Sequence, residues 1–210
     1  MQKIVVVDYG MGNLRSVAKA LAFVAVEHSI AATVSISSSP QEVDDADRVV
    51  FPGQGAMPDC MRYLAESGLE IAVRRAAVAK PFLGICVGMQ MLFERSEEGD
   101  TPGLGFFAGR VERFRPTDHT QKVPHMGWNT VTQTAKHPLW QDIADEERFY
   151  FVHSYFCAPA EPMLTVAQTD YTRQITVAVA RDNVFATQFH PEKSHRAGLT
   201  LYKNFLSWTP

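Results

Sequence analysis

The run Pro81-Phe82-Leu83-Gly84-Ile85-Cys86-Val87-Gly88-Met89-Gln90 decides the architecture of this chain. An apolar strand meets a cysteine that has a glycine two residues away on each side, and a helix begins at once. This is the wording of a strained strand-to-helix turn, which lifts one side chain to the tip of a sheet. There the thiol faces the unpaired N–H groups and positive dipole end of a helix. Both favour thiolate over thiol and can bind a developing oxyanion. Cys86 therefore reads as a nucleophile. The competing reading is a buried core cysteine, the commonest state of a free Cys.

A second run, Val184-Phe-Ala-Thr-Gln-Phe-His190-Pro191-Glu192-Lys193-Ser194, supplies what such a cysteine needs. Its first part alternates as a strand does. A nucleophilic thiol usually needs an adjacent base, and the base needs a third group to fix its tautomer and steady its cation. His190 and Glu192, two apart at one strand end, provide both types. Taken singly, His190 is a strand-end histidine bonded to backbone, and Glu192 is a solvated carboxylate.

Gly84-x-Cys86-x-Gly88-x-Gln90 together with His190-Pro191-Glu192 resembles the class I (triad) glutamine amidotransferases. Tyr150-Phe-Val-His-Ser-Tyr155, Pro124-His-Met-Gly-Trp-Asn129 and His190-Pro-Glu-Lys-Ser194 resemble, within that class, the glutaminase subunits of imidazole glycerol phosphate synthase, which serve histidine biosynthesis. The resemblance extends from Asp8-Tyr-Gly-Met-Gly-Asn13 to Asn204-Phe-Leu206.

The resemblance implies a catalytic triad of Cys86, His190 and Glu192. It implies an oxyanion hole from the Val87 N–H and the Pro52-Gly53-Gln54-Gly55 loop, at Gly53 and Gly55. Family members often carry Val at the place of Gln54. Gln90, Glu98 and the Ser154–Tyr155 backbone would hold glutamine, with Glu97 close enough to compete for the role of Glu98. Asn13, Trp128, Tyr150 and Lys193 would face a partner. That partner would be a (β/α)8-barrel cyclase, bound as a heterodimer, which consumes the ammonia. No metal or organic cofactor is implied.

Composition bounds the rest. At 210 residues, 46% hydrophobic and 20% charged, the chain fits one soluble domain, residues 1–210. A net charge of −3 implies no basic surface for nucleic acid. No apolar run approaches a membrane span, and Met1–Asp8 reads as a short strand rather than a signal peptide. Cys60, Cys86 and Cys157 are odd in number and lack Cys-x-x-Cys spacing, which fits a reducing cytoplasm. Gly10-Met-Gly12 lacks a glycine at Arg15, so a dinucleotide loop is excluded.

Periodicity predicts strands at Ile4–Asp8, Thr33–Ser37, Arg48–Phe51 and Phe82–Ile85. Helices are predicted at Leu14–Val26, Met57–Glu66 and Leu69–Ala79. This alternation gives a three-layer α/β fold: a mostly parallel sheet with helices on both faces. The second half predicts an antiparallel extension from strands at Gly103–Phe114, Trp128–Thr132, Phe149–Tyr155, Leu164–Thr169, Ile175–Ala180 and Val184–Phe189, then a helix at Leu199–Leu206. Ligands bind beyond the carboxyl ends of such strands, where Gly53, Cys86 and His190 all fall.

Three other functions compete. One is a glutaminase subunit of another synthase, whose members lack the Pro124–Asn129 run. Another is a metal hydrolase on His190, Glu192 and His195, which lacks the Pro-Cys-x-x-Cys of zinc deaminases. The third is a catalytically silent binding subunit on the same fold.

Overall fold

The computed structural model describes residues 1–116 and 122–210. Its first half alternates as the periodicity demands. The elements are β1 (Gln2–Val7), α1 (Leu14–Glu27), β2 (Ala32–Ser37), α2 (Pro40–Asp45), β3 (Arg48–Gly53), α3 (Met57–Glu66), α4 (Glu70–Ala79) and β4 (Phe82–Cys86). In α1 the buried residues Val17, Leu21 and Val24 recur at helical spacing and face the sheet. Helix α2 was not expected from periodicity, because it is too short to show any. Its signal lies in Ser39-Pro40-Gln41-Glu42: Ser39 Oγ accepts the Glu42 N–H at 3.4 Å and Pro40 opens the first turn.

After β4 comes a single helical turn, α5 (Val87–Gln90), and the chain leaves it directly into β5 (Phe93–Ser96) and β6 (Thr101–Pro102). Neither strand was expected. The remaining elements are β7 (Phe107–Arg113), β8 (His125–Gln133), β9 (Glu147–His153), β10 (Tyr155–Pro159), β11 (Thr165–Tyr171), β12 (Arg173–Arg181), β13 (Val184–Thr187) and α6 (His195–Ser207). The expected strand Phe149–Tyr155 is thus two strands, broken at Ser154. Helix α6 begins four residues before the predicted Leu199.

Strands β2-β1-β3-β4-β13 run parallel in that order. From β1 the chain crosses to β2 on one side and then to β3 on the other. Right-handed crossovers therefore put α1 and α2 on opposite faces. Helix α1 packs with α6, and α2 with α4, giving the three layers. Beyond β13 the sheet continues through β12, β10 and β7, each antiparallel to the one before; β11 and β8 branch from β12, and β9 pairs with β8. Among the described residues no helix is long and apolar enough to cross a membrane.

Candidate active site

The carboxyl ends of three adjacent strands, β3, β4 and β13, meet at one place. Gly53 and Cys86 are register partners at the ends of β3 and β4. The β13–β4 pairing ends at Thr187 with Ile85, so the next residues, Gln188 and Cys86, are neighbours. Phe189 is fully buried against Phe149 on the far side, ring centroids 4.1 Å apart. Burial of that ring is worth about 2–3 kcal/mol. It fixes the strand's parity, so Gln188 and His190 both turn to the site.

Cys86 sits at φ 56°, ψ −114°, a left-handed conformation that costs a non-glycine residue about 1–3 kcal/mol. The turn is made tight by glycine. A Cβ on Gly88 would lie 1.9 Å from the Phe51 carbonyl oxygen, so α5 rests directly on the β3 backbone. Cys86 is 4% exposed and lines a pocket of about 370 Å³. Cys60 and Cys157 are buried elsewhere, and burial pushes their thiols up, Cys60 to about 11.

His190 donates from Nδ1 to Glu192 Oε1 at 2.9 Å, with both side chains buried. Its Nε2 has no oxygen or nitrogen partner among the described residues; the group beside the ring is the Cys86 sulfur. Burial works against a charged imidazole, but the Cys86 thiolate and the Glu192 carboxylate outweigh it, and the His190 pKa is raised well above the ordinary histidine value. The sequence-predicted triad is therefore brought together. Glu192 is held further by Asn13 Nδ2, 3.3 Å from Oε1, and the buried Tyr202 hydroxyl lies near it without a hydrogen-bond partner among the described residues.

The turn that presents these groups is stitched down by Ser194. Its hydroxyl donates to the His190 carbonyl at 2.6 Å and accepts the Tyr150 N–H at 3.0 Å. Helix α6 reaches this turn only because residue 198 is glycine: a Cβ there would lie 1.9 Å from the Pro191 carbonyl oxygen. Tyr202, Ser194 and Gly198 escaped sequence reasoning, since one glycine, one serine and one tyrosine in a helical stretch carry no distinctive spacing. Gln188 could have been found from period two, which sets it on the same strand side as His190.

The expected loop Pro52–Gly55 is partly strand. Gly53 belongs to β3, and Gln54 and Gly55 alone of the four leave the sheet. Two buried side chains fix this turn: Tyr9 Oη donates to the Pro52 carbonyl at 3.0 Å, and Cys60 Sγ to the Gln54 carbonyl at 3.3 Å. Gly55, Val87, Gln90, Glu98, Ser154, Tyr155, Tyr150 and Lys193 all line the pocket. Glu98 Oε2 also accepts the Met57 N–H at 2.8 Å. Glu97 points elsewhere, to Arg115 and the Arg113 N–H, so of the two glutamates only Glu98 lines the pocket. Gln90 is not a solvent-facing residue but is 3% exposed, donating to Gln188 Oε1 and to the Tyr155 carbonyl.

Pro124 lines the pocket and the following residues form β8 rather than a turn. Met126 and Trp128 stand outward, 62% and 38% exposed. Trp128 stacks on His195 at 4.9 Å and meets Tyr150 edge-on. Lys193 lies over the Tyr150 ring at 5.7 Å. On the inner side His125 and His153 are register partners, with Nδ1 of His125 2.9 Å from Nε2 of His153.

A strained cysteine elbow, an imidazole beside it and a buried carboxylate behind the imidazole are the groups that thiol-dependent acyl transfer needs. The family model for class I glutamine amidotransferases matches residues 5–208, and the chain belongs to that family. Its relatives include the imidazole glycerol phosphate synthase subunits HisH of Aromatoleum aromaticum, 57% identical over all of both chains, and of Nitrosomonas europaea, 56% identical with the same coverage. That of Chromobacterium violaceum is 58% identical over 98% of each chain. Among solved structures, one glutamine amidotransferase superposes with a TM-score of 0.71 over 97% of each chain, at 19% identity. Another, from Thermotoga maritima, superposes with a TM-score of 0.60, covering 93% of this chain and 78% of that one, at 15% identity. At such identities both bear on the fold alone.

Proposed function

We infer that this chain is a glutaminase subunit of imidazole glycerol phosphate synthase, hydrolysing glutamine to glutamate and ammonia for histidine biosynthesis. The observation that carries the chemistry is the meeting of Cys86 and His190 in one pocket, with Glu192 buried behind His190. His190 takes the Cys86 proton, and the thiolate attacks the side-chain amide carbon of glutamine. The oxyanion is met by the Val87 N–H and by the Gly53–Gly55 turn. His190 returns its proton to the departing nitrogen, and ammonia leaves a thioester. Water, deprotonated by His190, then hydrolyses the thioester to glutamate and restores the thiol. Glu192 fixes the His190 tautomer with the proton on Nδ1 and steadies the cation. Gln90, Glu98 and the Ser154–Tyr155 segment hold the rest of glutamine.

Ammonia is mostly protonated near neutral pH and then non-nucleophilic, so a partner that accepts it through a shielded route is chemically sensible. The partner is a cyclase subunit with a (β/α)8-barrel, bound as a heterodimer over the pocket mouth. Lys193 and Tyr150 line that mouth, and the exposed Trp128 and Met126 flank it. Trp128 is an aromatic anchor of the kind that dominates interface energetics. Asn13 lies behind Glu192 near this edge, with its side chain turned inward to the carboxylate. Three free cysteines, one of them the nucleophile, suit the reducing cytoplasm.

The test is the rate of glutamate release by the chain alone and in the presence of a cyclase subunit, with and without the cyclase's nucleotide ligand. Low activity alone and at least a tenfold rise in the complex are expected, which requires only about 1.4 kcal/mol of preferential stabilisation. Full activity alone with a flat titration overturns the coupling. Turnover retained in Cys86→Ala overturns the chemistry.

A further inference from the structure

We propose that Gln188 is a hydrogen-bond donor to the Cys86 sulfur, turned toward it by a chain of hydrogen bonds whose polarity is fixed at the Tyr155 carbonyl. The proposal rests on Cys86 being the nucleophile. Gln188 is fully buried, its Nε2 lies 3.8 Å from Cys86 Sγ, and its Oε1 accepts from Gln90 Nε2 at 3.0 Å.

Which end of a buried amide is nitrogen is decided by its partners. Here the partners leave no choice. The Tyr155 carbonyl can only accept. It takes His153 Nδ1–H at 2.8 Å and Gln90 Nε2–H at 3.2 Å. Gln90 therefore presents its NH2 group, and what meets that group on Gln188 must be oxygen. The Gln188 NH2 is left facing the sulfur. On the other side, His153 carries its proton on Nδ1, so its bare Nε2 accepts from His125 Nδ1–H. His125 Nε2 in turn accepts from Asn129 Nδ2 at 3.3 Å. Burial keeps both imidazoles neutral, with pKa values of about 4 for His125 and about 3 for His153, so this order of donors and acceptors holds at neutral pH.

A neutral thiol is a weak acceptor, whereas a thiolate accepts a charge-assisted bond. An N–H aimed at the sulfur thus gains strength as the proton moves to His190. It compensates a buried negative sulfur, a charge that is costly when left uncompensated.

The experiment is alkylation of the full chain by iodoacetamide as a function of pH, with the modified cysteine located by mass spectrometry. The raised thiols of Cys60 and Cys157 keep them out of the reaction near neutrality. Gln188→Met keeps the volume and removes the donor. The midpoint for Cys86 alkylation should rise by about one pH unit, as expected for losing one hydrogen bond to a charged group. In the complex, glutaminase kcat should fall about tenfold, the same factor, with KM altered less than twofold. Gln188→Leu is a second neutral replacement of similar volume that removes the donor; a merely structural role predicts a wild-type midpoint for both variants, the proposal a raised one in both. An unshifted midpoint in whichever of the two variants folds overturns the proposal. A wild-type Cys86 that is no more reactive than Cys60 would instead defeat the nucleophile itself, so the two failures are distinguishable.

Discussion

Asn13 Nδ2 donates to Glu192 Oε1 at 3.3 Å, on the same oxygen that accepts the His190 Nδ1–H. The turn after β1 is thereby tied to the innermost carboxylate of the site. Asn13→Ala should lower glutaminase kcat several-fold while changing the affinity for a cyclase subunit little, because the side chain is spent inward. Kinetics and a binding titration on one preparation separate the two effects. Loss of affinity with intact kcat would assign Asn13 to the interface alone.

The His190 pKa offers a direct reading of its neighbours. Burial lowers it, and the Cys86 thiolate and Glu192 carboxylate together more than reverse that. Cys86→Ala removes one negative neighbour and Glu192→Gln the other. In each, the His190 imidazole observed by NMR should titrate at lower pH than in wild type, and lowest in the double variant, where burial governs unopposed. A titration that stays in place in Cys86→Ala would mean that no thiolate stands beside the ring.

Backbone strain at Cys86 predicts an unusual order of stability. Glycine normally destabilises relative to alanine, yet at φ 56° it is free of strain. Cys86→Gly should therefore be more stable than Cys86→Ala by about 1 kcal/mol, read by urea denaturation. Gly198→Ala should do the opposite. Its Cβ would press on the Pro191 carbonyl oxygen at 1.9 Å, at a cost of about 3 kcal/mol or more, and glutaminase activity should be lost with the displaced turn. Wild-type stability and turnover in Gly198→Ala would refute the close packing of α6.

The histidine pair of β8 and β9 sets an acid limit. His125 and His153 have folded pKa values of about 4 and about 3, below the ordinary value of about 6.5. The unfolded chain binds protons there before the folded one does. Their contribution to stability is therefore full above about pH 6.5 and lost as pH falls through the folded values, at up to about 1.4 kcal/mol per pH unit for each histidine. Replacing both with phenylalanine should flatten the dependence of the melting temperature on pH between about 6.5 and about 4. An unchanged slope would show that the pair is not neutral in the folded protein.

How much of this was legible in the sequence depended on the range of the interaction. The parallel core, the elbow at Cys86 and the His190–Glu192 turn are written in local spacing and in glycine, proline and β-strand patterning, and the structure has them where that spacing puts them. Strands β5 and β6 are too short to show a period, and β10 takes its partners from distant segments. The extension of β3 through Gly53 was hidden by proline and glycine, which read as a break until β4 is seen alongside. Glu98 and Glu97 are equal in sequence. They differ only because Arg115 and the Arg113 N–H draw Glu97 away, while Glu98 turns to the pocket and the start of α3. Tyr202 and Gln188 matter through what they approach, which no single segment contains.

Strand β8 has two sides with different duties. Its even-numbered residues Met126 and Trp128 look outward, whereas His125 and Asn129 look inward to the buried chain that ends at the nucleophile. A sequence change in this strand is thus sorted by parity before chemistry enters. Under the proposed function, positions 126 and 128 bear on how firmly a partner is gripped, and positions 125 and 129 on the hydrogen bonds behind the nucleophile. Grip and reactivity can then drift independently within nine consecutive residues, although no two of them are separated by more than a strand's length.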